Sequence, residues 1–524
     1  MQNRVIVVGA GLAGMVAALG AREKGAEVTL VDRGSVGLGT NSALSGGLFT
    51  GPTKLHGLGE YTRETLHAGR GINCEDMVKL IGAKASVGFD FLRSLDLQIA
   101  ELPTAWAVRP SNPEIIPGLA LVRKVAEKMR ELRGIFCYTG FYVTHILTNN
   151  GQACGVRGFD RTGKDRVIYG DGVVLAAGGA GAIYSRHDNQ RTIMGQGYYL
   201  AARAGLTLWD MEFVQCYPLV IAEPHLPSML VYPPHAPEAR LVNGRGEDIL
   251  ARYGIQDINE AIMKKRDQLS LILHEESRTT PVLLDLSNVP KQRWASYPLA
   301  VLGKLQSEAI RKPFAVSPAV HFCMGGIAVD HEGQTGLPGL YACGEITWGM
   351  HGANRRGGNA LTECVVMGRI AGGSAAMNGA REKRNTGQPH DKDREGKVSS
   401  GQPGPPVSLR ELRDRIRCLA WECAGVVRDE ESMRKGLRAL DAIAGEARKA
   451  SWAIVRERVI REDLMSAVFS LRAILSASLG RKESRGSFIR RDFPKEDNAH
   501  WRKNSCLTYN PEKSTFSVTY HSVK

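Results

Sequence analysis

The sequence predicts an α/β protein whose first unit is a Rossmann-like, dinucleotide-binding sheet, and two observations carry that expectation. Residues Arg4 to Val8 form a short apolar, β-branched run that opens directly onto Gly9, Gly11 and Gly14 in G-x-G-x-x-G spacing. A helix then reads through Arg22, and a second apolar run, "AEVTLVD", ends on an acid, Asp32. In this order the glycines permit the tight turn and a close pyrophosphate approach, the helix N-terminus meets the phosphate charge, and Asp32 meets the ribose hydroxyls. The motif by itself does not separate FAD from NAD.

Three later stretches favour FAD. "TNSALSGGLF" begins at Thr40 and contains Asn41, Ser42, Gly46 and Gly47; "DGVVLAAGGAGAIY" is an apolar strand running into Ala177, Gly178 and Gly179; "GLPGLYACGEI" is another strand, leading to Glu345. Segment after segment returns to one extended ligand, as a bulky flavin dinucleotide requires. Next comes "GMHGANRRGGNALTECVVMGRIAG", from Gly349, in which His351, Arg355 and Arg356 stand among small residues before an apolar helix. Glycines let a ligand approach the backbone, and a helix beginning near Asn359 offers free amides to anionic or carbonyl oxygens. Arginine adds a planar fork suited to carboxylate or phosphate.

Composition is that of an ordinary globular protein: 43% hydrophobic and 23% charged residues in a chain of 524, long enough for several domains. Glycine is the outlier, with 59 residues. Of the net charge of +14, most falls after Arg381, where about thirty Lys/Arg face about twenty Asp/Glu. No nucleic-acid motif accompanies it, so a solvated helical surface or a docking face for an acidic protein is expected, and no nucleic acid. The ten cysteines form no C-x-x-C and no four-cysteine cluster, so no metal site is expected on this chain. No apolar span of about 20 residues is read, hence no transmembrane segment is expected. A reducing, cytoplasmic location follows as the expectation.

The pieces "VVGAGLAGMVAALGAREKGAEVTLVDR", "NSALSGGL", "AGLTLWDMEFVQCYP", "SPAVHFCMGGIAVD", "GLYACGEITWGMHGANRRGGNALTECVVMGRIAG" and "RKESRGSFIRRDFPKEDNAHW" resemble the flavoprotein subunits of succinate dehydrogenase and fumarate reductase. Soluble fumarate reductases and L-aspartate oxidase belong to the same family, and the likeness runs from the first strand to about Trp501. It implies an FAD-binding domain (1–218 and 323–380) interrupted by an α+β capping domain (219–322), then a linker (381–408) and a C-terminal helical domain (409–524). The flavin site would include Gly9, Gly11, Gly14, Asp32, Arg33, Asn41, Ser42, Gly46, Gly47, Val143, Ala177, Gly178, Gly179, Glu345, Asn359, Ala360 and Leu361. "KKRDQLSLIL" matches the cap segment whose arginine donates a proton, which implies that role for Arg266. "HFCMGG" and "ANRRGGN" imply that His321 and Arg355 hold a substrate carboxylate. The "ESRG" stretch from Glu483 is expected to pack back near the flavin domain.

Departures from the family pattern concern the substrate first. A substrate-binding histidine is replaced by Tyr217, and the polar loop that follows is replaced by "SMLVYPPHAPEARLVNGRGED", with Tyr232 and prolines 233, 234 and 237. Without partners for a second carboxylate, the site is expected to reject fumarate and succinate in favour of a monocarboxylate, a thioester or a larger unsaturated acid. Thr40 stands where covalent-flavin members carry histidine, so non-covalent FAD is expected. Gln196 replaces a usual aspartate, and Arg356 a usual leucine. The leading expectation is an FAD-dependent oxidoreductase acting on a C–C bond next to a carboxyl-type group, with an iron–sulfur or other electron-transfer partner that could tether it at a membrane surface. The alternatives are an O2-using, L-aspartate oxidase-like enzyme and a flavin-bearing subunit without chemistry of its own.

Overall fold

The computed structural model describes residues 3–382 and 408–523. Its organising element is a five-stranded parallel sheet. The chain lays down β1 (Arg4–Val8), crosses by helix α1 (Leu12–Glu23) to β2 (Glu27–Asp32), and reaches β3 (Ile135–Thr139) and then β4 (Gly172–Leu175). It leaves through β5 (Val214–Ile221) into a second region containing helix α2 (Arg266–Glu276), and returns along β6 (Phe314–Cys323) to β7 (Leu340–Ala342) and helix α3 (Asn359–Glu382). The sheet order is β7-β4-β1-β2-β3. After β3 the chain crosses back to the far side of β1, so a crevice opens between the carboxyl ends of β1 and β4, where a doubly wound sheet binds its ligand.

The inner strands β1 and β4, together with β7, are apolar and almost wholly buried, as parallel strands covered on both faces must be. On one face α1 and α3 pack backbone to backbone: a Cβ at Gly372 would stand 1.9 Å from the Ala17 carbonyl oxygen, so no larger residue fits there. That close approach fixes the direction of α3 and carries its N-terminus to the crevice.

The capping region is built on an antiparallel sheet in which β5 pairs with β6, β6 with Val282–Asp285, and that strand with Arg240–Asn243. Its own core includes Leu219, Leu241, Leu273, Leu284 and Trp294. The sequence boundaries at 218/219 and 322/323 fall inside β5 and β6, because both strands run without a break from the flavin domain into the cap.

Residues 409–480 are dominated by three helices: Leu409–Ala424, Glu430–Lys449 and α4, Val455–Gly480. Two expectations need correction here. The C-terminal part is not helical throughout: it closes with a hairpin, Lys503–Asn510 and Thr515–Ser522, which joins Leu208–Trp209 and Gly326–Ile327 in a four-stranded sheet. In addition, α4 is long and apolar enough to cross a membrane, a span missed in the sequence. From Asp463 onward it is buried nearly all round, with Leu464, Phe469, Leu471, Ile474 and Leu475 in the core shared with the flavin domain, whereas its first two turns are charged and only partly buried. Of the expected linker, Arg381 and Glu382 end α3, and residues 383–407 lie outside the described residues.

The "ESRG" stretch packs where expected. Arg481, Arg485 and Arg490 are fully buried and satisfied by Glu212, Glu483 and Asp492. Arg485 also donates to the Arg70 carbonyl at 2.8 Å, and the Ser487 amide donates to the Ala353 carbonyl at 3.0 Å. Breaking such a pair leaves an uncompensated buried charge, so the brace holds the 349–358 loop against the sheet.

Candidate active site

One cavity of about 1840 Å³ runs from the carboxyl ends of β1 and β2 to the cap. Ordinary small-molecule pockets are roughly 300–1,000 Å³, so this one has room for a dinucleotide and a substrate together.

At the far end, Gly9 turns out of β1 at φ +106°, and a Cβ there would meet the Ala176 carbonyl oxygen at 2.3 Å. Asp32 accepts the Ala10 amide at 2.7 Å through Oδ2 and the Gly34 amide at 2.6 Å through Oδ1, which fixes its carboxylate at the cavity wall. Gly11 lines the wall, and Ser42 Oγ accepts the Leu12 amide at 3.2 Å. Asn41 is held between Asn189, to which it donates at 2.6 Å, and the Gln190 amide, from which it accepts at 2.9 Å. Gln196 donates to the Val143 carbonyl at 2.6 Å, which gives the replaced aspartate position a backbone-bracing role. Gly46, Gly47, Val143, Ala177, Gly178, Glu345, Ala360 and Leu361 line the same cavity.

Three expected contacts are not at the wall. Gly14 lies under the Gly9 carbonyl, Gly179 is covered by the Glu345 carboxyl, and Asn359 is fully buried with its amide on Thr65 Oγ1 at 3.3 Å. They pack the turns that make the wall, which motif spacing does not separate from touching the ligand. Arg33 does line the cavity but commits its guanidinium to Asp463 of α4, in a fork of 2.6 and 2.7 Å. Although burial opposes its charge, Asp463 holds its pKa up. The residue therefore ties the C-terminal helices to the dinucleotide end.

Glu345 makes no ion pair among the described residues; burial pushes its carboxyl up to about 7, against the Cys323 amide that donates to it at 3.1 Å. A neutral-leaning, buried acid beside glycine turns suits the hydroxyl-rich middle of FAD, and the first-turn amides of α3, which have no intrahelical acceptor, suit its ring oxygens. The residues present thus fit the cofactor.

Under the cap, the four expected catalytic residues come together. Arg355 is buried over the Phe322 ring at 4.6 Å, and its Nε has no hydrogen-bond partner in the protein. Burial first, and then the charge of Arg266, pull its pKa down to about 9. Arg266, from the N-terminus of α2, is equally buried; its Nη1 donates to Gln215 Oε1 at 3.1 Å, its Nε has no partner, and burial lowers its pKa as well. His321 donates or accepts through Nδ1 with Asp188 Oδ2 at 2.7 Å. Tyr217 lies under Arg266, 5.6 Å from ring to guanidinium, and 5.6 Å from the His321 ring. Around them Met229, Leu230, Tyr232, Pro233, Pro234, Met263 and Tyr297 complete the cap side.

Sequence reasoning missed Asp188 and Gln215. Gln215 joins Arg266 to the 354–355 backbone, donating to Asn354 Oδ1 at 2.7 Å and to the Arg355 carbonyl at 3.0 Å. Asp188 meets His321 across 133 residues of chain, with no local signal. Arg356 also lines the cavity, with its guanidinium paired to Glu64.

A parallel switch-point crevice, a dinucleotide-length cavity and a buried cationic end define a flavin-type oxidoreductase. A family described as "FAD binding domain" matches residues 4–361, and one described as "Fumarate reductase flavoprotein C-term" matches 413–524. L-aspartate oxidase of Xylella fastidiosa (strain 9a5c) is 30% identical over 96% of this chain and 94% of that protein. A component of the fumarate reductase (CoM/CoB) of Methanothermobacter marburgensis is 27% identical over 70% of this chain and 69% of its own. Among solved structures, the E. coli quinol fumarate reductase superposes with a TM-score of 0.87 at 23% identity, covering 100% of this chain and 97% of that one, a likeness of fold. The chain belongs to the FAD-dependent oxidoreductase family of the fumarate reductase and succinate dehydrogenase flavoproteins and L-aspartate oxidases. Its cofactor is FAD.

Proposed function

We propose that the protein adds or removes hydrogen across a C–C bond next to a single carboxyl group, or the thioester made from it, on a substrate whose remainder is apolar. One observation carries this reading: among the described residues, neither Arg266 nor Arg355 has a carboxylate partner, although both guanidiniums are buried at the cavity wall. Unpaired buried cations are costly, and a ligand carboxylate is the partner that relieves them. The Arg355 fork orients it, with each charge-assisted hydrogen bond contributing about 1.5–3 kcal/mol. The same positive charge stabilises the enolate character that the carboxyl acquires at the transition state. When bound, FAD supplies the two-electron chemistry by exchanging a hydride with the substrate at flavin N5. Gln215 fixes both arginines relative to each other.

Selectivity rests on what surrounds the arginines. Apart from the exposed Arg109 near Tyr297, the cap side presents Met229, Leu230, Tyr232 and Met263, a lining that fits a substrate with an apolar remainder better than a small dicarboxylate such as fumarate. Thr40 supports non-covalent FAD, its hydroxyl donating to the Gly37 carbonyl at 2.8 Å. Electrons would pass to or from a separate iron–sulfur or other carrier, which could hold the protein at a membrane surface.

A second reading, an amino-acid oxidase that uses O2, is supported by the identity to L-aspartate oxidases over nearly the whole chain. Aerobic incubation with L-aspartate and a peroxide assay separates the two. Peroxide formed at many turnovers per minute would establish the oxidase; no peroxide, together with anaerobic oxidation of the reduced flavin by an unsaturated monocarboxylate, supports the first reading. A flavin carrier without chemistry would do neither, and would have no use for two unpaired buried arginines.

A further inference from the structure

The flavin domain does not enclose its cavity by itself: Val455, Arg456 and Val459, from the first two turns of α4, belong to the wall. Helix residues four apart share a face, so Val455, Val459 and Asp463 form one stripe along α4. That stripe lies against the dinucleotide end. Asp463, at its inner end, is buried, and its Oδ1 accepts the Tyr142 hydroxyl at 3.0 Å beside the Arg33 fork. Arg33 follows Asp32, whose carboxylate is fixed at the cavity wall, and the Phe141 amide donates to the Asp32 carbonyl at 3.0 Å. At the outer end of the stripe a Cβ at Gly163 would stand 2.9 Å from Val455 Cγ2. Arg458 holds the same turn, donating to the Gly163 carbonyl at 2.8 Å and to Asp165 Oδ1 at 2.7 Å. Phe159, Asp160 and Arg161, which lead into that turn, line the cavity too.

We propose that the first two turns of α4 complete the adenosine half of the FAD site, and that the cofactor enters and leaves by their parting from the flavin domain rather than beneath the substrate cap. Adenine has flat apolar faces, and the two valines give one of them a cover that excludes water. The Arg33 and Tyr142 bonds to Asp463 set how closely the helix can approach.

The parting is confined to one end of the helix. From Asp463 onward α4 is locked in the shared core, whereas Ser451, Ala453 and Ile454, which lead into it, are exposed, and Val455 and Val459 are half-buried. Local opening begins where least surface is buried, so the helix start can open while the rest of the domain stays packed. At the opposite end of the cavity the cap is tied to the flavin domain, the Tyr232 hydroxyl donating to the Leu44 carbonyl at 2.6 Å. Neither the cover nor the opening depends on which substrate the enzyme takes.

The test uses the FAD-loaded protein. Bound FAD is exchanged for an excess of FAD carrying an 8-azido group on adenine, the sample is illuminated, and the labelled peptides are mapped. Label is expected on a peptide carrying Val455 to Val459 as well as on residues 140–161; label confined to residues 1–382 would overturn the proposal. Release of FAD, read from its fluorescence, is then compared with hydrogen exchange in the parent and in Val455→Ser, Val459→Ser, Ile454→Ser and Tyr232→Phe. Each valine variant should release FAD roughly 3- to 30-fold faster, from the lost apolar cover, with the amides of 455–462 exchanging faster by a similar factor and those of 464–480 unchanged. Ile454→Ser, exposed and outside the wall, should change neither. Faster release from Tyr232→Phe but not from the valine variants would place the exit under the cap and overturn the proposal. So would faster exchange throughout 464–480 in the valine variants, which would make the effect a loosening of the whole domain, or FAD that fails to leave while the amides of 455–462 open.

Discussion

Arg355→Met makes a prediction that runs against ordinary expectation for a buried residue: the variant should be more stable than the parent while losing function. The Arg355 guanidinium is buried, has no carboxylate partner among the described residues, and has its pKa pulled down to about 9 by burial and by Arg266. At ~1.4 kcal/mol for each tenfold in proton affinity, a depression from the ordinary arginine value to about 9 corresponds to roughly 5 kcal/mol of unfavourable free energy at neutral pH. The sign follows from the direction. A depressed cation destabilises the fold wherever it is charged in both states, and the penalty is relieved as pH rises above about 9. Methionine fills similar volume without the charge, and replacement of a buried charge by a packed apolar side chain commonly gains about 1–4 kcal/mol. Thermal unfolding of the FAD-loaded protein at pH 7 should therefore show a higher midpoint for Arg355→Met, with the difference narrowing above pH 9. Saturating monocarboxylate should raise the midpoint of the parent, through RT ln(1 + [L]/Kd), and leave that of the variant unmoved. A lower midpoint for Arg355→Met, or an undiminished response to carboxylates, would refute the reasoning.

Gln215→Ala releases Arg266 and the Arg355 backbone together; a loss of about 1–3 kcal/mol should appear as a kcat/KM reduced roughly 5- to 150-fold, measured with FAD occupancy held constant. Arg33→Ala removes the forked pair with Asp463, so FAD should dissociate faster and α4 should exchange its amides sooner, as read by flavin fluorescence and hydrogen exchange; unchanged behaviour in both would contradict the tie between α4 and the dinucleotide end. Acid precipitation should release all flavin into the supernatant, as expected with Thr40 at the position of the covalent histidine; yellow precipitate would contradict it. Tyr217→His should raise the fumarate-dependent rate relative to the aryl-acrylate rate, because it returns a donor for a second carboxylate.

The dinucleotide end was legible because its chemistry is local. Gly9, Gly11 and Asp32 are fixed by the turn after β1 and the end of β2, and the apolar runs that flank them can only be parallel strands. Gly14, Gly179 and Asn359 show the limit of that reading: spacing identifies a motif but does not separate residues that touch the ligand from residues that pack the turn. Tertiary pairing was not legible. Asp188 reaches His321, and Arg33 reaches Asp463, 430 residues away, by nothing that neighbouring residues announce. The closing hairpin was legible and was passed over: Phe516, Val518 and Tyr520 alternate with polar residues along Thr515–Ser522, although its partner Lys503–Asn510 has buried residues in succession and no such alternation. α4 escaped notice because its charged first turns mask the apolar run that follows, which is buried on all sides.

The central claim, that the cap and the two unpaired arginines select one carboxylate on an apolar substrate, is tested most directly by anaerobic stopped-flow. Dithionite-reduced protein is mixed with aryl-acrylates, enoyl thioesters and fumarate in parallel, and flavin oxidation is followed at its visible absorbance. The account predicts fast oxidation by at least one monocarboxylate or thioester and oxidation by fumarate at least about a hundredfold slower, since one unpaired buried carboxylate costs several kcal/mol. Fumarate oxidising the flavin as fast as any other acid would contradict it.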